Sequence, residues 1–152
     1  MECNTGKALL WVDSSIDFLG AVEAYLHAIR KDIRLLLAEN EIQAYLAMRE
    51  ENVGAIITNL MIPSMNGAVL VRDLENLIAE GRWSGSIAMI TKNPKEALDY
   101  LGRNNVEKEI PIFSKPITTP KLHEILAKVG FGFSSPVALQ SLATSPRGVG
   151  NA

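Results

Sequence analysis

The chain has 152 residues, 47% apolar and 21% charged, with a formal net charge of −2; that is the size and balance of one globular domain with a single sizeable core, not of a disordered chain. No basic block is present, which argues against nucleic acid as a partner, and no run reaches the roughly 18 apolar residues of a membrane span. Met1-Glu2-Cys3-Asn4 lacks the features of a signal peptide, and the lone Cys3 rules out an internal disulfide and fits a reducing, cytoplasmic setting.

Ala8-Leu9-Leu10-Trp11-Val12 is a continuous apolar run, as expected of a strand covered on both faces. After Asp13-Ser14-Ser15, the positions Leu19, Val22, Leu26 and Ile29 repeat at helical spacing. Ser14 with Asp17 reads as a capping box at the start of that helix. Residues 33–38 form a second predicted strand. Asn40 can cap a helix over 41–50 that carries Ile42, Tyr45 and Leu46.

Residues 54–58 give a third strand, and Leu70, Leu74, Leu77 and Ile78 mark one face of a helix over 68–80, closed by Gly81. Residues 86–91 are the fourth strand. Asn93-Pro94 is a strong helix start, and that helix carries Ala97, Leu98 and Leu101 and stops near Gly102. Residues 110–113 are the fifth strand, where Pro111 is most easily accepted at a sheet edge. Thr119-Pro120 begins a last helix with Leu122, Ile125, Leu126 and Val129 inward and Gly130 beyond it.

Strands and helices in strict alternation with short connections predict a doubly wound parallel α/β sheet. The flavodoxin-like strand order 2-1-3-4-5 places the first and third strands at the switch point, where such sheets build sites. Residues 1–130 form this domain, and the Ser-, Gly- and Pro-rich stretch over 131–152 reads as a flexible tail. His27 and His123 are isolated, and Trp11 and Trp83 read as packing residues. Walker-type and dinucleotide glycine loops are missing, as is a placeable Ser/His/Asp or Cys/His set, so an independent enzyme is not expected.

Polar residues recur at the carboxyl ends of the predicted strands: Asp13-Ser14, Thr58-Asn59 with the loop Ile62-Pro63-Ser64-Met65-Asn66-Gly67, Thr91, and Phe113-Ser114-Lys115-Pro116. In this order and spacing they resemble the active-site segments of response-regulator receiver domains, the phosphorelay modules of two-component signalling. The resemblance covers about 7–130. It implies that Asn59 occupies the phosphoacceptor position, Asp13 and Ser14 the paired acidic positions, Thr91 the switch threonine, and Lys115 the pocket lysine, with Pro116 often following a cis bond. It also implies that Ile112 stands where switching receivers carry an inward-rotating aromatic residue, while Phe113 points to the opposite face of its strand.

The departures are chemical. A receiver needs a divalent cation, usually magnesium, held by oxygen ligands with enough negative charge to offset dehydration, and a carboxylate that attacks phosphorus. Asp13 remains, but Ser14 and Asn59 replace the other carboxylates, and an amide cannot form an acyl phosphate. Asp13 facing Lys115 would attract it by about 4 kcal/mol at roughly 4 Å and an effective dielectric near 20, before desolvation, so a metal would compete with the lysine. No catalytic residue, no cofactor and weak or absent magnesium binding are therefore expected.

The resulting expectation is a stand-alone pseudo-receiver that acts by protein–protein interaction without phosphorylation. The family's usual output and dimerisation face, formed by the fourth helix, fifth strand and last helix, is the implied contact surface, and a homodimer is possible. Nucleic acid and membrane are not expected partners. Two other readings stay open: a phosphoryl-accepting regulator using a non-standard oxygen, for which Thr58, Ser14 and Asp13 are the nearby choices, and a small-molecule sensor using the strand-end crevice.

Overall fold

Strands that are apolar on both faces require cover on both sides, and the chain supplies it. The computed structural model describes residues 6–62, 65–106 and 108–132. In chain order the elements are β1 (Ala8–Val12), α1 (Ile16–Ile29), β2 (Arg34–Ala38), α2 (Glu41–Glu50), β3 (Val53–Asn59), β4 (Met61–Ile62), β5 (Met65–Asn66), α3 (Gly67–Ala79), β6 (Ser86–Thr91), α4 (Pro94–Arg103), β7 (Ile112–Ser114) and α5 (Thr119–Lys128). The main sheet is parallel, in the order β2-β1-β3-β6-β7. That is the expected doubly wound arrangement, with β1 and β3 adjacent at the switch point.

The period of two along each strand sorts the core into halves. Leu9, Trp11, Ala55, Ile57, Ala88, Ile90 and Phe113 pack against α1 and α5. Leu10, Val12, Ile56, Ile87 and Met89 pack beneath α2, α3 and α4. Among the described residues no helix is long and apolar enough to cross a membrane.

Several local expectations are corrected. Ser15, not Ser14, caps α1: its Oγ accepts the Phe18 N–H at 3.2 Å. The reason is Asp13, whose Oδ1 accepts the Ser15 N–H at 2.9 Å, forming a turn that delays the helix by one residue. Ile42 and Leu46 are exposed, and Ala44 is the buried residue of α2. The helix lies over the half-buried edge strand β2, so its outer apolar positions overhang the sheet. Leu98 is likewise exposed, on α4.

The last strand begins at Ile112 rather than 110, because Pro111 has no N–H to give; its carbonyl still accepts the Met89 N–H at 2.9 Å. β7 pairs only with β6, so it is a sheet edge. The loop expected after Asn59 contains a short hairpin, with Met61 opposite Asn66 and Ile62 opposite Met65. Pro63 and Ser64 lie outside the described residues, as do Cys3 and 133–152 of the expected tail.

Phe131, assigned above to the tail, belongs to the core. It is buried among the residues of α1 and α5, and its N–H donates to the Leu126 carbonyl at 2.8 Å. Its own carbonyl accepts from Arg30 Nη1 at 2.9 Å. Arg30 is itself buried and makes paired hydrogen bonds of 2.9 and 2.8 Å to Asp32. The guanidinium holds the Asp32 carboxyl below the usual carboxylate range. One buried fork thus ties the end of α1 to the segment after α5. Arg30→Ala leaves a buried carbonyl without its donor, and urea denaturation should show a loss of about 2–4 kcal/mol.

Close by, Tyr25 Oη and His123 Nε2 share a hydrogen bond of 2.9 Å. Burial, and secondarily the Arg30 charge, push the His123 pKa down. The unfolded chain therefore takes up this proton more readily than the folded one. The associated stability is complete above the unfolded value of about 6.5 and is lost as pH falls through the lower folded value. Denaturation midpoints should drop between pH 7 and the onset of carboxylate titration, and His123→Gln should flatten that slope.

Candidate functional site

The carboxyl ends of β1, β3, β6 and β7 bring four polar positions to one end of the sheet. Asp13 follows β1 directly and is 1% exposed. Such a carboxylate needs partners for its charge. It has two: the Ser15 N–H on Oδ1, and Lys115 Nζ on Oδ2 at 2.7 Å. Lys115 follows β7, its N–H donating to the Thr91 carbonyl at 2.8 Å. Its peptide bond to Pro116 is cis.

The lysine stem is largely covered, with 14% of the side chain exposed. Its ammonium group lies 4.5 Å from the centroid of the Phe18 ring, a second favourable contact for the cation. Phe18 was not among the positions singled out in the sequence. It lies one residue before the apolar repeat that begins at Leu19, and only the fold brings it under Lys115.

Asn59 ends β3 at the switch point. Its Nδ2 donates to the Met61 carbonyl at 2.9 Å, so the side chain is folded back onto its own loop. The loop is held tight beside it. The Gly67 N–H donates to the Leu60 carbonyl, and a Cβ at Gly67 would collide with the Asn59 carbonyl oxygen. Asn66 caps α3, its Oδ1 accepting the Val69 N–H at 3.1 Å.

The remaining positions are occupied locally. Thr91 is buried and its Oγ1 accepts the Asn93 N–H at 3.1 Å, shaping the turn into α4. Thr58 is buried and its hydroxyl donates to the Asn59 carbonyl at 3.0 Å. Ser14 is exposed. Ile112 is half-buried on the α2–α4 side of the sheet, and Phe113 is buried on the α1–α5 side.

These groups suit magnesium poorly. Hard cations require several oxygen ligands with net negative charge. Among the described residues, no group of three His, Cys, Asp or Glu side chains could hold a metal. The Asp13 carboxylate is committed to a lysine and a backbone amide. Asn59 could offer a neutral carbonyl oxygen at best.

The pair itself has a measurable consequence. Lys115→Met leaves the Asp13 carboxylate buried without its counter-charge, and stability should fall by about 3–5 kcal/mol. Asp13→Asn in the same chain keeps the acceptor for Ser15 and removes the stranded charge. The double variant should therefore recover most of that loss by denaturant titration.

No family model matches the chain, and no curated protein matches it. Solved structures do match in fold. A signal receiver domain of an HD domain-containing protein from Pseudomonas fluorescens Pf-5 aligns with a TM-score of 0.67 and 22% identity, covering 81% of this chain and 93% of that one. The chemotaxis response regulator CheY4 of Vibrio cholerae gives a TM-score of 0.63 and 20% identity, over 82% and 99%. A response regulator from Burkholderia pseudomallei, solved with a phosphorylated aspartic acid and a calcium ion, gives 0.61 and 18%, over 90% and 71%. This chain has the receiver fold, a flavodoxin-like α/β architecture.

Proposed function

We propose that this chain is a receiver-fold signalling module that works without phosphoryl transfer, by binding another protein, and not as an independent enzyme. The observation that carries the reading is the amide at the end of β3. Asn59 stands where the resemblance places the acceptor carboxylate, and its side chain bonds the Met61 carbonyl. A carboxamide offers no oxygen nucleophile of the kind that forms an acyl phosphate.

Of the three relocated acceptors, Ser14 is exposed and the other two find little support. Thr58 is buried with its hydroxyl engaged, and the Asp13 carboxylate is engaged by Lys115 and Ser15. The relay is also unlike that of a switching receiver. The Thr91 hydroxyl serves a turn, and no aromatic side chain occupies position 112.

The contact surface we propose is the α4–β7–α5 face. Leu98, 62% exposed on α4, stands among Lys95, Glu96 and Asp99. An apolar anchor inside a charged rim is a common form for a protein contact. The partner is a protein, with a second copy of this chain as one form of it. A cytoplasmic setting goes with this reading.

Two measurements test it. Intact mass after incubation with magnesium and a small phosphoryl donor should show no adduct on the wild type; an adduct there would overturn the reading. Asn59→Asp run in parallel reports whether the surrounding scaffold still supports the chemistry. Co-purification from the native cytosol should recover a protein partner that Leu98→Glu loses by about tenfold, the scale expected of an anchor worth over 1 kcal/mol.

A further inference from the structure

Along α1, beside the strand-end pocket, runs a cleft of about 680 Å³ that the receiver resemblance leaves without a role. Phe18, Ala21 and Val22 of α1 form one wall, and Ile117 from the segment before α5 forms part of the other. Charged groups lie along it: Lys92, from the turn after β6, Lys115, and Asp17 in the first turn of α1. The volume falls within the range usual for small-molecule sites, which are mostly apolar with a few placed polar groups.

We infer that this cleft binds a small amphipathic monocarboxylate, its aromatic or aliphatic body against Phe18, Ala21, Val22 and Ile117 and its carboxylate toward Lys92 and Lys115. The hydrogen-bond donors select the head group. Two ammonium groups stand along the cleft, while Asp13 and Asp17 offset their charge, so the head group is fixed by the donors it accepts from and not by a net charge of the lining. Asp13 lies behind Lys115 at 1% exposure and takes one of the three donors of that ammonium group, leaving two. Lys92 is exposed and free to close over a ligand.

The start of α1 acts in the same direction. The Phe18 and Leu19 amides are bonded to Ser15. The Ile16 and Asp17 amides belong to the first turn, which cannot bond them within the helix, and they add positive potential there. A second feature lies behind the Phe18 wall. Trp11 packs edge-on against Phe18, with ring centroids 5.9 Å apart, and its buried indole N–H has no acceptor among the described residues. Buried donors of this kind are rare. Through its contact with Phe18, the Trp11 indole proton is a built-in reporter of the cleft wall.

The test uses the full chain and nitrogen–proton NMR spectra, titrated with octanoate and phenylacetate and with the corresponding amides, octanamide and phenylacetamide, up to about 10 mM, a range that detects affinities of a few kcal/mol. The carboxylates should shift Phe18, Val22, Ile117 and the Trp11 indole together. The uncharged amides should bind about tenfold more weakly, as expected when a charge-assisted bond is lost. Lys92→Gln, at an exposed position, should weaken the carboxylates about threefold and leave the amides unchanged. Ala21→Leu should abolish both by filling the cleft, with the fold checked in the same spectra.

No saturable shift from either acid overturns the inference, as do equal affinities for acid and amide, or shifts centred on α4 and β7. If Ala21→Leu fails to fold, Lys92→Gln still decides the head-group assignment. A negative result leaves the protein-binding reading intact, since that rests on Asn59 and the α4 face.

Discussion

The ion pair between Lys115 and Asp13 is the constraint around which the carboxyl end of the sheet is arranged. A carboxylate 1% exposed is costly to bury unless it is matched, and here the match comes from 102 residues away in sequence. The pair joins the end of β1 to the end of β7 across the width of the sheet, over the switch point. The lysine supplies the positive charge that the buried carboxylate needs. Phe18 beneath the ammonium group and the Ser15 amide on the other carboxylate oxygen complete its surroundings. The Asp13 charge is closed off by residues of the chain itself.

The rest of the site follows from that closure. Asn59 folds back on the Met61 carbonyl, and the β4–β5 hairpin together with the tight approach of Gly67 sets the path of the loop. Thr91 spends its hydroxyl on the turn into α4. Asp13, Asn59, Thr91 and Lys115 thus each have a structural partner here. The scaffold keeps the receiver fold while the polar side chains at its strand ends are bonded within the chain.

The opposite end of the molecule is secured in a comparable way. Arg30, buried at the end of α1, reaches both Asp32 and the Phe131 carbonyl, and Tyr25 meets His123 between α1 and α5. The two helices on this face are joined by a polar cluster at one end, and the cleft opens beside α1 at the other. Their middle is filled by Leu19, Val22, Leu122, Ile125 and Leu126.

Much of this was legible in the sequence because it depends on local periodicity and local hydrogen bonding. The apolar runs marked β1, β3 and β6; Asn40 and Asn93 named the starts of α2 and α4 to the residue; and Gly81 and Gly130 adopt the positive φ expected at helix ends. The motif order at the strand ends also carried the fold, and it named Asp13 and Lys115, which the structure brings within 2.7 Å. What the sequence could not decide were relations between residues far apart along the chain. Whether Ile42, Leu46 and Leu98 are covered depends on how far the sheet extends beneath their helices. That Phe131 belongs to the core depends on Arg30, a residue whose burial no periodicity announces. Local pattern determines which elements form and which side chains stand at their ends. Only tertiary packing decides which charges meet, because desolvation and partner distance are properties of the assembled fold.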